Sequence, residues 1–216
     1  MIKSLLLDFD GIILESVSVK TEAFRKLFSF IPEHVDEIVQ FHIDNGGMSR
    51  FDKFQYIYTH ILKEDLTQEK FEELSEKFSK IVFEEIVKVP FVPGAQEFLE
   101  CYHTKIPLFV VSATPENELL QIIQKRNMSH YFRKVYGAPR KKSDCITEIV
   151  KLTGSPPDTV LFVGDARNDL DAAHTAGVRF IGRIKPGDEN RFYGLSGIEL
   201  VIPDLHELAR YIEVCS

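Results

Sequence analysis

Apolar residues follow two rhythms along this chain. Leu5-Leu6-Leu7 is a short unbroken apolar run, the pattern of a strand buried on both faces. Apolar positions then recur at helical spacing. Val19, Ala23, Phe24, Leu27 and Phe28 predict a helix over about 16–30, and Val35, Ile38, Val39 and Phe41 a second one opened by Pro32. Asn45-Gly46-Gly47 breaks the pattern. Ser49 is placed to cap a third helix carrying Phe51, Phe54, Ile57, Tyr58 and Ile61. Thr67 is placed to cap a fourth with Phe71, Leu74, Phe78, Ile81, Val82 and Phe83 on its inner side.

Beyond Pro90 strand-like and helix-like runs alternate. Residues 107–112 and Val160-Leu161-Phe162-Val163 read as doubly buried strands, and Val178-Arg179-Phe180-Ile181 as a fourth. Residues 131–136 are expected to lead into a short strand, and 200–203 to form an edge strand. Helices are expected over 95–102, 116–127, 143–152 and 170–176, with a last one running to Val214. Residues 137–139 and 183–199 read as loops. Such alternation predicts an α/β fold, a Rossmann-like parallel sheet with helices on both faces. Residues 1–14 and 89–216 would form this core, and 15–88 an inserted all-helical unit.

Composition narrows the class. The 216 residues suffice for one large domain with an insertion, and a net charge of −7 argues against a general nucleic-acid binder. Three widely spaced cysteines without a CxxC pair point to reduced thiols and to neither a disulfide framework nor a zinc site. The start of the chain is too acidic for a signal peptide, and no apolar run approaches membrane-spanning length. A soluble, cytoplasmic protein without a membrane partner is expected. The seven histidines lack metal-ligand spacing, and the seventeen phenylalanines read as packing.

Chemistry gathers where the strands end, which is where open α/β sheets bind ligands. The first strand runs into Asp8-Phe9-Asp10-Gly11, whose two acids point to the same side and whose glycine brings a backbone N–H close to a ligand. The second ends in Ser112, with Thr114 beyond, and the third in Gly164-Asp165, with Asp169 four residues on. Lys141 and Lys142 precede the intervening helix. Carboxylates crowded together require a counter-charge, and Mg²⁺ with a phosphate ligand meets that need. A lysine, a hydroxyl and strand-end N–H groups complete the equipment for phosphoryl transfer. Each piece has a plainer reading. Asp8-x-Asp10 and Gly164-Asp165 occur in ordinary turns, Asp169 and Ser112 suit helix N-termini, and the lysines suit a solvated face.

Taken together, Asp8-Phe9-Asp10-Gly11, Val111-Ser112-Ala113-Thr114, Gly137-Ala138-Pro139 with Lys142, and residues 164–169 resemble the four ordered motifs of the haloacid dehalogenase superfamily. The helical insert resembles that family's cap. The resemblance implies that Asp8 is a nucleophile forming an aspartyl-phosphate, and that Asp10 is the acid and then the base. It assigns phosphate binding to Gly11, Ser112, Ala113 and Lys142, and Mg²⁺ binding to Asp8, Asp10, Asp165 and Asp169. Asn168 would lie close to phosphate or water. The acid at Asp10 favours phosphate esters over carbon–halogen or carbon–phosphorus substrates. Two features depart from the common pattern. Glu15 stands where many relatives carry Asp, and Lys141 competes with Lys142, which fits better by its offset from Pro139 and Ile146. In the insert, residues 45–50 resemble a substrate-specificity loop, with Arg50 offering a planar fork to an anion and Lys53 one turn later. Alternatively Arg50 is an ordinary surface arginine at a helix start.

The resulting expectation is an Mg²⁺-dependent phosphatase of small-molecule phosphate esters. A phosphosugar mutase of the β-phosphoglucomutase type uses the same groups. A phospho-acceptor signalling domain needs neither the second acid nor an inserted cap.

Overall fold

In the computed structural model, residues 1–215 are described; Ser216, which ends the expected 89–216 segment, and the side chain of Cys215 lie outside them. Six parallel strands form one sheet in the order β3-β2-β1-β4-β5-β6. They are β1 Ser4–Leu7, β2 Leu108–Pro115, β3 Lys134–Ala138, β4 Val160–Gly164, β5 Arg179–Arg183 and β6 Leu200–Ile202. The helices between β2 and the chain end are α6 Glu116–Lys125, α7 Lys142–Thr153, α8 Arg167–Ala176 and α9 Leu205–Cys215. Ahead of β2 come α1 Val17–Leu27, α2 Val35–Asp44, α3 Arg50–Tyr56, α4 Gln68–Ile86 and α5 Ala95–Tyr102.

The central strands carry uninterrupted apolar runs because both faces are covered. Leu5, Leu7, Leu108, Val110, Leu161 and Val163 pack on one side. Leu6, Phe109, Val111, Val160 and Phe162 pack on the other. The first cluster continues without a break into the helices ahead of β2, through Phe24, Phe54 and Phe78. Phe24 and Phe78 meet edge to face at 4.9 Å, a geometry favoured by the ring quadrupoles. The two predicted caps are made. Ser49 Oγ accepts from the Asp52 N–H at 3.2 Å, and Thr67 Oγ1 from the Lys70 N–H at 3.3 Å. Cys101 and Cys145 are free thiols, and among the described residues no helix is long and apolar enough to cross a membrane.

Local differences from the sequence reading have identifiable causes. Pro32 does not open α2. It sits in a turn closed by the His34 N–H on Ile31 O, and the helix starts at Val35. The expected loop at Gly137-Ala138 is the end of β3, because a register shift in β2 places Pro115 opposite Ala138. The Ala138–Pro139 peptide is cis. α8 begins at Arg167, before Leu170, because Asp169 Oδ2 caps it from within by accepting from the Ala166 N–H at 3.0 Å. α3 continues as a π-helical stretch, Ile57–Leu62, that the apolar spacing did not reveal.

Candidate active site

β1 positions the first acid. The Asp8 N–H donates to Val163 O at 2.9 Å, extending the β1–β4 ladder by one residue and fixing the carboxylate at the strand's C-terminal end. The chain then turns sharply at Gly11, whose φ of +71° and near contact with Asp165 both exclude a side chain. A Cβ there would collide with Asp165 Oδ2. Arg183, at the end of β5, holds this turn by donating to Gly11 O at 2.7 Å. Its other amino group donates to Glu15 Oε1 at 2.6 Å. Glu15, the departure from the family pattern, thus serves to orient the arginine that braces the turn.

Lys142 is the first residue of α7, and its Nζ donates to Asp8 Oδ2 at 2.8 Å and to Asp169 Oδ1 at 2.6 Å. All three side chains are buried. Burial disfavours the Lys142 ammonium, but the carboxylates of Asp169 and Asp8 outweigh it and its pKa is raised. Asp8, Asp165 and Asp169 each offer a carboxylate oxygen within 4.8 Å of the others. Burial, and then the neighbouring acids, push Asp165 up to about 8. Burial pushes Asp8 up to about 7 against the pull of Lys142, with Asp169 and Asp10 adding to the rise. Three acids facing one ammonium leave excess negative charge in a buried space. A hard divalent cation with oxygen ligands fits that donor set and would relieve the repulsion.

Asp10 is organised differently. Ser16 Oγ donates to its Oδ1 at 2.6 Å and Thr114 Oγ1 to its Oδ2 at 2.9 Å, while Lys20 Nζ pairs with Oδ2. Lys20 also donates to Thr114 Oγ1 at 2.8 Å. Burial opposes ionisation here, but Lys20 and these hydrogen bonds prevail, and the pKa is lowered. Ser112 Oγ accepts from the Thr114 N–H at 3.1 Å, so Ser112 lies inside β2 and is no helix cap.

A pocket opens from Asp8, Asp10 and Asp165 toward the helices ahead of β2, where Lys20, His42, Arg50 and Lys53 line it. Arg50 is buried, at 6% exposure, and its fork is already engaged. It donates to Glu118 of α6 at 3.0 and 2.5 Å and to Ser79 of α4 at 2.8 Å, with its guanidinium 4.5 Å from the Phe78 ring. Lys53 Nζ contacts His42 Nδ1 at 3.0 Å and donates to His42 O at 3.1 Å. Gly47, in the loop before α3, leaves room for Asn168. A Cβ at Gly47 would fall on that side chain, whose Oδ1 is buried with no hydrogen-bond partner among the described residues.

The structure therefore brings Asp8, Asp10, Gly11, Ala113, Asp165, Asp169 and Lys142 to one end of the sheet, with Lys53 and Arg50 across the pocket. Lys141 lines a separate opening that Lys142 also reaches. Sequence reasoning missed Lys20, Ser16, His42 and Glu118. Lys20 of α1 follows Ser16, the residue just before that helix, by one turn, and that spacing behind the Asp8-x-Asp10 turn was the available signal. Glu118, distant in sequence from Arg50, gave none.

The class of protein follows from comparison with known chains. Residues 5–183 match the haloacid dehalogenase-like hydrolase family, and the chain belongs to it. Sequence relatives include phosphatases. Phosphoglycolate phosphatase of Pseudomonas fluorescens is 30% identical over 54% of this chain and 45% of its own length. Phosphoglycolate phosphatase 1 of Pseudomonas aeruginosa is 25% identical over 94% of this chain and 77% of its own length. The chain thus spans less than half of the first relative. Among solved structures, β-phosphoglucomutase from Clostridium difficile superposes with a TM-score of 0.77 at 18% identity, covering 99% of this chain and 96% of that one. A haloacid dehalogenase-like hydrolase from Streptococcus pneumoniae gives 0.74 at 15% identity over 98% of both. At those identities the structures speak for the fold alone.

Proposed function

We propose that this chain is an Mg²⁺-dependent phosphatase of small phosphate monoesters working through an aspartyl-phosphate on Asp8. The observation that carries this reading is the bridge from Lys142 to both Asp8 and Asp169, with Asp165 within ligand distance. Lys142 holds Asp8 Oδ2, the Phe9 N–H donates to Asp8 Oδ1 at 2.6 Å, and the carboxylate so oriented lines the pocket. Asp8 attacks phosphorus, and the P–O bond to the alcohol breaks as Asp10 gives its proton to the leaving oxygen. Asp10 then takes a proton from the water that hydrolyses the acyl-phosphate, returning Asp8 and releasing inorganic phosphate. Its ionised form, held by Ser16, Thr114 and Lys20, suits this second half. The proton needed in the first half requires the Lys20 contact to loosen.

Lys142, Ser112 and the Ala113 N–H receive the phosphoryl oxygens. Gly11, expected to bind phosphate, has its N–H committed to Leu14 O at 2.8 Å and serves the turn instead. Asp8, the Asp10 carbonyl and Asp165 would hold Mg²⁺, with Asp169 beside them. The ion would neutralise charge on the acids and on the phosphoryl group. Residues 15–88 act as a cap on the core formed by 1–14 and 89–216, excluding water during the first transfer. Lys53 sits on that cap and shapes selectivity, whereas Arg50, expected to do the same, is engaged by Glu118 and Ser79 and ties the cap to the core. A small soluble ester and a cytoplasmic setting accord with this reading. Nucleic acid and membrane have no part in it.

Phosphate release from a panel of esters, with Mg²⁺ and after chelation, tests the proposal. Glycolate 2-phosphate, named in the relatives, is the first to try. Metal-dependent release supports a phosphatase. Transfer that needs a sugar bisphosphate and frees little phosphate would instead identify a mutase.

A further inference from the structure

Three cationic side chains line the pocket, and they differ in what they already hold. Lys20 is paired with Asp10, and Arg50 spends its fork on Glu118. Lys53 is 2% exposed yet forms no ion pair among the described residues. Its Nζ meets only the ring and the carbonyl of His42, and Phe24 lies 5.5 Å away across an apolar wall. An ammonium has three protons to donate, and His42 accounts for at most two. A buried charge without a partner is costly, so the site is built for one that arrives later. Burial, followed by Lys20, holds Lys53 down at about 7, with Asp10 opposing the shift, and burial, followed by Lys53, pushes His42 down to about 3.

We infer that Lys53, positioned by His42, is the counter-charge for a second anionic group on the alcohol portion of the ester. This rests on the phosphatase reading and narrows its substrate class to phosphate esters bearing a carboxylate or a second phosphate. Arg50 is excluded from that task because its two amino groups are committed to Glu118 and Ser79. The apolar wall beside Lys53 sets the counterpart, a short alcohol skeleton without bulky polar groups.

The test compares glycolate 2-phosphate, propane-1,3-diol bisphosphate and ethyl phosphate, which lacks the second anion, in the full chain and in Lys53→Met. The selectivity ratio, kcat/KM for the better anionic ester over that for ethyl phosphate, should fall about 10- to 100-fold in the variant, mainly through KM. Which anionic ester shows the fall distinguishes carboxylate from phosphate. A variant that merely packs poorly lowers all three rates and leaves the ratio unchanged, which would overturn the inference. Calorimetry of the same three esters on Asp8→Asn and on Asp8→Asn/Lys53→Met separates this from the parent reading. If no ester is hydrolysed but the anionic ones lose about tenfold in affinity with Lys53, the phosphatase reading fails and the Lys53 assignment stands. Equal affinities in the two proteins sink the assignment whatever the turnover.

Discussion

Lys142 Nζ lies 2.8 Å from Asp8 Oδ2, joining residues 134 positions apart in the chain. The same nitrogen holds Asp169, so one ammonium stabilises two buried acids. Replacing it with Met leaves both acids without a cation, a loss of about 3 kcal/mol in stability. Activity should fall about 10²- to 10³-fold, as when a fixed charge is removed from a phosphoryl site. Lys141→Met, at an exposed position, should change neither by more than about twofold. Thermal melts and kcat/KM for the pair decide the matter. Equal effects at both positions would show that the lysine is misassigned.

Arg50 and Glu118 tie the helices ahead of β2 to α6 of the core through two hydrogen bonds. Both groups are charged and Arg50 is buried, so the pair is stronger than a surface bridge, though Glu118 keeps some solvent contact. A double-mutant cycle with Arg50→Met and Glu118→Gln should return a coupling of about 1 to 2 kcal/mol by denaturant melts. If residues 15–88 close on the core through this pair, each single variant should also raise KM for every ester alike, unlike Lys53→Met. Additive melts would mean that the bridge contributes nothing.

Metal and pH are linked through the acid cluster. Asp8 and Asp165 take folded pKa values of about 7 and about 8 against an ordinary value of 3.8. The folded metal-free chain therefore binds more protons than the unfolded chain between about pH 4 and 8, and its stability falls as pH rises through that window. Metal-free Tm should be lower at pH 8.5 than at pH 5.5, and saturating Mg²⁺ should raise Tm more at pH 8.5. Asp165→Asn should flatten both trends. An Mg²⁺ effect of the same size at both pH values would argue that these acids do not hold the ion.

Much of this arrangement was legible in the sequence for physical reasons. Strands buried on both faces leave uninterrupted apolar runs, so β1, β2 and β4 and the acids at the ends of β1 and β4 stood out without any tertiary information. Caps at Ser49 and Thr67 were readable because capping is a local contact. Side-chain partners were not. Nothing near Arg50 announces Glu118, and the Lys20 clasp on Asp10 depends on where α1 leans over the sheet. His42 gave no signal in the sequence, where the histidines only lack metal-ligand spacing, and the fold sets it against Lys53. The boundaries of β3 and α8 depended on a strand register shift and on a cap supplied by Asp169 from inside its own helix.

The most direct test of covalent transfer to Asp8 is mass spectrometry of quenched protein. Asp10→Asn, mixed with p-nitrophenyl phosphate and Mg²⁺, should accumulate one phosphoryl group on the peptide carrying Asp8, because this leaving group departs without a proton and the water step lacks its base. Asp8→Asn/Asp10→Asn should carry none, and Asp8→Asn alone should lose at least about 10³-fold in turnover. Phosphate release by Asp8→Asn at the rate of the unaltered chain, with no phosphorylated peptide at any time point, would contradict the account.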